Sequence, residues 1–148
     1  MAVSFDLERF VDAQTPVYER VLSELRAGLK QSHWMWFIFP QIAGLGHSAM
    51  SQRYAIVSRQ EATDYLHHSL LGPRLRECTQ LVNTVSGKSI ESILGWPDNM
   101  KFHSSMTLFA HTSDENLEFV DAIQKYFNGH FDQATLERLN RPRDAHTE

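Results

Sequence analysis

The stretch Ser32-His33-Trp34-Met35-Trp36-Phe37-Ile38-Phe39-Pro40 decides the fold class, because it holds the longest dense apolar run of the chain. By composition, residues 34–39 are typical of a buried strand. Ser32 before the run and Pro40 after it are equally typical of a short buried helix, and periodicity cannot separate the two over so few residues. Because the sequence on both sides predicts helices, we interpret the run as helical.

Helix start and stop signals recur on both sides of this stretch. Thr15-Pro16 suits the start of a helix, and Gly28 suits its C-terminal stop. Ser58-Arg59-Gln60-Glu61 is a capping box. Further N-cap candidates precede apolar residues at helical spacing: Ser4 or Asp6, Ser89, Asp98, Thr112 and Asp132. The sequence therefore predicts an all-α fold of about seven to eight helices without a significant sheet.

The length of 148 residues fits one domain, and we expect a single helical domain over residues 1–140 followed by a polar tail, 141–148. A chain of this size buries roughly 70% of its unfolded surface, so it needs no disulfide or metal to hold a core. The single cysteine, Cys78, lies in an apolar helical pattern. We expect a small buried hydrophobe there, not a nucleophile.

The charge of the chain bears on its partners. A net charge of -4 and a pI near 6.0 argue against a general nucleic-acid or membrane-surface role. Residues 1–6 lack the basic and apolar segments of a signal peptide, and the run at 34–39 is too short to span a bilayer. We expect a cytoplasmic protein whose partner is a small molecule, and the sequence does not predict its oligomeric state.

The first candidate site surrounds the aromatic stretch. Trp34 and Trp36 offer flat rings on which a base or nicotinamide can stack, an interaction worth about 1–3 kcal/mol per base in single-strand binders. Polar side chains beside these rings could orient a ligand: Lys30, Ser32, His33 and Gln41. The alternative is structural, with the rings in the core, their indole N–H groups bonded to carbonyls and the polar groups solvated.

A glycine pair follows. Gly44-Leu45-Gly46-His47-Ser48-Ala49 formally matches the dinucleotide-binding pattern G-x-G-x-x-G/A, with Asp64 about twenty residues on. Pro40 would break the incoming strand, and Asp64 follows a helix capping box, so we do not expect a Rossmann fold. Gly44 and Gly46 could instead place backbone amides on an anion at the start of a helix from Ser48. A plain tight turn is the alternative.

The second candidate site spans residues 98–107. On a helix, Lys101, Ser104 and Ser105 share a face, and Ser104 and Thr107 share another. A lysine beside several hydroxyl groups is typical of a phosphate- or carboxylate-binding surface. The alternative is a solvated face, or hydroxyls bonded to backbone carbonyls.

The sequence predicts no metal site and no cofactor. Eight histidines are present, but none forms H-E-x-x-H, and no pair has i, i+4 spacing beside an acid. Walker, nucleophile-elbow and kinase motifs are also absent. Carboxylates that could act as a catalytic acid or base remain, and we favour Asp98 and Asp12 over Glu24 and Glu61.

The sequence resembles a bacterial family, domain of unknown function 1810, some of whose members carry an unsupported calpastatin label. The resemblance spans nearly the whole chain and rests on four blocks: Asp6-Leu7-Glu8-Arg9-Phe10 with Asp12-Ala13-Gln14, residues 32–41 with Gly44-Leu45-Gly46, Tyr65-Leu66-His67 with Leu71-Gly72-Pro73-Arg74-Leu75, and Asp98-Asn99-Met100-Lys101 with Ser104-Ser105-Met106-Thr107-Leu108-Phe109. The family implies a compact, mainly helical domain and no established activity.

A remoter resemblance is to the NADAR group, helical proteins that process ADP-ribose-type nucleotides and N-glycosidic bonds. It implies binding and hydrolysis of a nucleotide-like molecule. Trp34 would stack a ring, Lys30 and Lys101 would neutralise phosphate, and Asp98 or Asp12 would activate water. The alternative is a non-catalytic adaptor that binds a protein partner through an exposed patch at Trp34 and Met35.

Overall fold

The computed structural model describes residues 5–140, and Ser4 and the tail 141–148 lie outside these described residues. The described part forms ten helices: α1 Glu8–Gln14, α2 Tyr18–Arg26, α3 Met35–Ile38, α4 Ala49–Arg53, α5 Arg59–His67, α6 Leu71–Thr84, α7 Ile90–Leu94, α8 Asp98–Ala110, α9 Leu117–Phe127 and α10 Gln133–Leu139. The all-α prediction is confirmed. The helix number exceeds seven to eight because α3, α4 and α7 are short, with four or five residues each.

The aromatic stretch is helical, as interpreted. α3 covers Met35–Ile38, and Trp34 before it and Phe39 after it are buried. No strand forms at this stretch, so the strand alternative is wrong. Among residues 5–140, extended pairing is limited to one parallel bridge between Ile42 and Ile56, which lies after the stretch.

Three predicted N-caps are confirmed, because each side chain accepts a hydrogen bond from a backbone N–H in the first turn of its helix: Ser58, Ser89 and Asp132. Gly28 lies two residues after the end of α2 with a φ of 70°, the left-handed conformation expected of a glycine stop.

Three predicted helix starts are wrong. α1 begins at Glu8 after Leu7 and has no side-chain cap, so Asp6 does not cap it. α2 begins at Tyr18, so Thr15-Pro16 belongs to the turn before it. α9 begins at Leu117, and Thr112 does not cap it, because the Thr112 hydroxyl donates instead to the carbonyl of Leu108, at 2.7 Å, at the end of α8.

α8 lies at the centre of the fold, and all of residues 104–110 are buried. It packs against α7, α9 and α10, while α6 packs against α2, α5 and α9. The ring of Phe102 in α8 meets Phe39 edge to face, with 4.9 Å between the ring centroids. This contact packs the end of α3 against the first turns of α8, so the two candidate stretches are in contact.

Cys78 is fully buried in α6. Burial raises the pKa of its thiol to about 12. Because the thiolate is the reactive form of cysteine, this side chain is a core residue without nucleophilic character at neutral pH.

Two further features of residues 5–140 concern membranes and metals. Each described helix is too short or too polar to cross a bilayer. In the same part of the chain, no three His, Cys, Asp or Glu side chains are grouped in a way that could hold a metal ion.

Candidate functional site

An ion-pair cluster joins the two candidate stretches. The Lys30 Nζ lies 2.9 Å from Asp98 Oδ2, and the Lys101 Nζ lies 3.6 Å from Asp98 Oδ1. The backbone N–H of Lys30 also donates to the carbonyl of Ile93, at 2.8 Å, which fixes the chain before α3 against the end of α7. The structure therefore brings Lys30, Asp98 and Lys101 together.

Asp98 does not cap α8 as predicted. It is the first residue of α8, Pro97 occupies the N-cap position, and no side chain caps the helix. The expected cap is wrong because both carboxylate oxygens of Asp98 face lysine ammonium groups.

Each lysine of the cluster also lies over an indole ring. The Nζ of Lys30 is 5.1 Å from the ring centroid of Trp34, and the Nζ of Lys101 is 5.0 Å from that of Trp36. A cation at this distance from an aromatic face is attracted by the ring quadrupole. The aromatic and basic residues that we predicted from sequence thus form one connected group.

Trp34 belongs to the core. Its side chain is 1% exposed, and its Nε1 donates to Glu24 Oε1 at 2.9 Å. Its ring faces are closed to a ligand, so the expectation that Trp34 stacks a base is wrong. The partner of its N–H is the carboxylate of Glu24, where we had considered a backbone carbonyl.

Glu24 is the buried acceptor of this region. Its carboxylate also accepts from the backbone N–H groups of Gln31, at 2.8 Å, and Ser32, at 3.1 Å, and from the Ser32 hydroxyl. Burial acts to raise the pKa of Glu24, but the hydrogen bonds from Ser32, Gln31 and Trp34 outweigh it and lower the pKa to about 2. The Ser32 hydroxyl is therefore bonded to Glu24 and is not free to bind a ligand.

Trp36, unlike Trp34, is partly exposed and lines a cavity of about 180 Å³. Three other predicted residues line the same cavity, Gln41, Gly44 and Gly46. Residues that the sequence had not indicated complete its wall: Ile42, Ala43, Ser51, Gln52, Tyr54, Ala55 and Val57. Four of the predicted ligand-binding residues thus share one concave surface.

The parallel bridge fixes the wall of this cavity. The N–H of Ile56 donates to the carbonyl of Gln41, and the N–H of Ala43 donates to the carbonyl of Ile56, both at 2.8 Å. The backbone at Gln41 is therefore held, while its side-chain amide forms no hydrogen bond within residues 5–140, and neither does the Tyr54 hydroxyl. Two polar groups at the cavity are left to meet solvent or a ligand.

The glycine pair closes one side of the cavity. Gly44 has a φ of 96°, its carbonyl accepts from the Arg138 guanidinium at 3.1 Å, and a Cβ there would overlap that guanidinium. At Gly46 a Cβ would lie 2.5 Å from the Ser51 hydroxyl oxygen. The positive φ favours glycine at position 44, and the close approach of Ser51 favours glycine at position 46. This geometry matches the tight-turn alternative, and the Rossmann interpretation has no sheet to support it in the described residues.

The family described as "Protein of unknown function (DUF1810)" matches residues 4–139 of the chain. This chain belongs to the DUF1810 family. Its structure is similar to the crystal structure of the conserved hypothetical protein Rv1873 from Mycobacterium tuberculosis, with a TM-score of 0.92 and 57% sequence identity over 93% of this chain and 98% of that chain. No curated protein matches it. The family resemblance drawn from the sequence is confirmed.

The hydroxyl groups of α8 are structural in this DUF1810 protein. Ser104 donates to the carbonyl of Met100, at 3.2 Å, and to Asp132 Oδ2, at 3.0 Å. Thr107 donates to the carbonyl of His103, at 2.9 Å, and accepts from the N–H of Asp132, also at 2.9 Å. Both are buried, and these bonds anchor the start of α10. The expected phosphate-binding surface is wrong for both residues.

Ser105 is also closed to solvent. Its side chain is fully buried, and its Oγ has no hydrogen-bond partner within the part of the chain that the structure describes. A ligand cannot reach it from solvent, so the assignment of Ser105 to a solvent-facing binding surface is wrong.

Two predicted residues of this DUF1810 chain make no hydrogen bond or ion pair with the cluster. Asp12 is exposed on α1, and His33 is exposed just before α3. Neither side chain forms a hydrogen bond or an ion pair within residues 5–140. Asp12, the second predicted acid, is therefore not part of the cluster formed by Lys30, Asp98 and Lys101.

Trp96 and Met100 were missed as candidate site residues. They are 70% and 57% exposed and lie on either side of Asp98 in the chain. The Gly95 and Pro97 that flank Trp96 are a turn signal, which could have indicated an exposed ring. Tyr54 was missed, and Glu24 was considered only as a possible catalytic carboxylate, because nothing in their local sequence shows what they contact.

Proposed function

We propose that this DUF1810 protein binds a small nucleotide-like molecule, with one ring in the cavity beside Trp36 and an anionic group at Lys101. The observation that carries the proposal is the double role of Trp36. Its side chain lines the cavity, and its ring has the Lys101 ammonium group 5.0 Å from the centroid. A ligand that fills the cavity therefore meets an aromatic wall, and an anionic group that extends past Trp36 would reach the Lys101 ammonium group, which does not itself line the cavity.

The size of the cavity argues for a single ring system. An engineered apolar cavity of about 150 Å³ takes up benzene, and the cavity beside Trp36 measures about 180 Å³. Pockets that enclose whole drug-sized ligands are larger, about 300–1,000 Å³. The remainder of a nucleotide would therefore lie outside the cavity, over its rim.

The hydrogen-bonding groups at the cavity suit a heteroaromatic ring. The side-chain amide of Gln41 offers both donors and an acceptor, and the Tyr54 hydroxyl offers one of each. Neither is used inside the protein within residues 5–140. A base or nicotinamide presents the complementary groups on its edge, whereas a plain hydrocarbon ring does not.

Of the two lysines, Lys101 is the better anion contact. Its side chain is 23% exposed, whereas that of Lys30 is 8% exposed and lies closer to Asp98, at 2.9 Å against 3.6 Å. We assign Lys30 to positioning Asp98 and Lys101 to the ligand. This division replaces the expectation that both lysines neutralise phosphate.

Hydrolysis of an N-glycosidic bond is the reaction that we propose to test first. Glycosidic hydrolysis develops positive charge on the sugar in its transition state, which a nearby carboxylate stabilises. Asp98 is the predicted acid beside Lys101, at 3.6 Å. A cytoplasmic location is part of the proposal, since nucleotides are cytoplasmic metabolites and the lone Cys78 needs no oxidising compartment.

Thermal unfolding with AMP, cyclic AMP, NAD and ADP-ribose tests the binding proposal. A ligand at one hundred times its dissociation constant adds about 2.7 kcal/mol of stability, and chromatography of the same mixtures detects a released base. Trp36→Ala should remove the shift, and the matched control Trp96→Ala should keep it. The absence of a shift with all four compounds at millimolar concentration would contradict the proposal.

A second candidate function is protein binding, and the exposure of Trp96 and Met100 favours it. The exposed protein-binding patch expected at Trp34 and Met35 is wrong, because each of these side chains is only 1% exposed. Trp96 and Met100 lie four positions apart in the sequence, at the start of α8, and could anchor a partner. Capture of a stoichiometric partner that Trp96→Ser abolishes would support this function, and equal capture by both proteins would exclude it.

A further inference from the structure

We infer that Asp98 makes the site selective for a ligand group that carries one negative charge. This inference rests on the proposed function and adds the charge class of the ligand. It follows from the way in which Lys30 and Lys101 share a single carboxylate.

The charges of the cluster are unequal. Two ammonium groups, on Lys30 and Lys101, face one carboxylate, that of Asp98. Within the described residues, Asp98 is the sole acid whose oxygens lie within ion-pair distance of either lysine. Glu24 is also ionised, but it forms no ion pair with either lysine within residues 5–140, and its charge is stabilised by hydrogen bonds from the Gln31 and Ser32 backbone, the Ser32 hydroxyl and the Trp34 indole.

Within ion-pair distance, the two ammonium groups therefore carry one more positive charge than Asp98 can match, and this charge is available to a ligand. Asp98 lies closer to Lys30, so the unmatched charge is centred on Lys101, the more exposed of the two lysines. A group with one negative charge neutralises it. A second negative charge on the same group would lie near the Asp98 carboxylate, and like charges at this range repel each other.

The favoured ligand class consists of phosphodiesters and carboxylates attached to a ring or nucleoside. A phosphomonoester loses its second proton near pH 6, so it carries two charges at pH 8. A phosphodiester keeps one charge at any neutral or basic pH. Adenosine, cyclic AMP and AMP at pH 8 thus form a series with zero, one and two negative charges on one base.

Isothermal titration of the wild type and Asp98→Asn with these three compounds at pH 8 and low salt tests the inference. The wild type should bind cyclic AMP about tenfold more tightly than adenosine and at least as tightly as AMP. In Asp98→Asn, which keeps the shape and loses the charge, AMP should gain about tenfold and become the preferred ligand. Asp121→Asn, which removes an exposed carboxylate that forms no ion pair with either lysine, should leave the order unchanged.

The possible failures are distinguishable. If none of the three compounds binds the wild type at millimolar concentration, the proposed function fails and this inference fails with it. If all three bind the wild type equally, the ring site stands and the charge selectivity is overturned. A wild type that prefers AMP to cyclic AMP, or an Asp98→Asn variant in which AMP gains nothing, also overturns it.

Lys101→Met provides an independent arm, should Asp98→Asn fail to fold. This variant keeps the apolar stem over Trp36 and removes the charge that the ligand is inferred to meet. It should bind adenosine as the wild type does and bind cyclic AMP no better than adenosine. A retained preference for cyclic AMP would overturn the inference.

Discussion

The Lys30 ammonium group lies 2.9 Å from the Asp98 carboxylate, and this ion pair ties the segment before α3 to the first turn of α8. Both side chains are largely shielded from water, with 8% and 18% exposure. A shielded charge that loses its partner is costly, because neither water nor another group compensates it. The pair is therefore as much a structural link as a component of the site.

The two lysines should respond differently to removal of their charge. Lys30→Met leaves the shielded Asp98 carboxylate with its more distant partner, and we expect a loss of roughly 2–3 kcal/mol in the free energy of unfolding. Lys101→Met removes a more exposed charge and should cost less than about 1 kcal/mol. Urea denaturation of both variants measures the difference, and equal losses would contradict the division of roles.

Glu24→Gln should destabilise the fold at neutral pH by roughly 2–3 kcal/mol, because an amide cannot accept all the hydrogen bonds that the carboxylate accepts. The pKa of Glu24 is lowered from 4.5 to about 2. Its ionised form therefore stabilises the folded state above pH 4.5, and this stabilisation is lost as the pH falls toward 2.

The pH dependence of the unfolding free energy is a second test of the prediction for Glu24→Gln. The difference in unfolding free energy between wild type and Glu24→Gln should be largest at neutral pH and shrink from pH 4.5 down to pH 2. A matched control is Glu19→Gln, since Glu19 is exposed on α2 and should show little effect. A difference that stays constant over this pH range would argue against the bonding described for Glu24.

Gly72 should tolerate no side chain. A Cβ at Gly72 would overlap the backbone carbonyl of Leu66, which cannot move aside as a flexible side chain can. We expect Gly72→Ala to cost about 3 kcal/mol in stability. Gly87→Ala is the control, since Gly87 has a positive φ of 71° but open space around it, and should cost about 1 kcal/mol. A milder effect at Gly72 than at Gly87 would contradict this packing.

Cys78 should be inert in the folded protein. Its burial and its pKa of about 12 predict that an aromatic disulfide reagent at pH 8 reacts only as fast as the protein opens. In denaturant the same thiol should react within the mixing time of a manual assay. Rapid stoichiometric reaction under native conditions would show that the thiol is accessible.

Local signals predicted most of the fold. Ser58, Ser89 and Asp132 act as N-caps because a cap depends on residues within one turn. The cap expected at Asp98 does not form, because Lys30, distant in the sequence, takes its carboxylate. The cap expected at Thr112 does not form, because its hydroxyl bonds back to the end of α8.

The candidate site was predictable only in part, because residue types can be read from the sequence and long-range contacts cannot. Residue types indicated that lysines and tryptophans could act together, and the structure pairs Lys30 with Trp34 and Lys101 with Trp36. The sequence could not show which tryptophan is accessible. That depends on Glu24, which lies on another helix and holds the Trp34 indole in the core.

The most direct test of the proposed site is a titration of the ¹⁵N-labelled protein with cyclic AMP, followed through the three tryptophan indole N–H signals. The chain has three tryptophans, and they differ in setting: Trp34 is 1% exposed, Trp36 lines the cavity, and Trp96 is 70% exposed. We predict a saturable shift of the Trp36 signal while the other two stay in place. Movement of Trp96 without Trp36, or three unmoved signals at millimolar ligand, would contradict a ring site at Trp36.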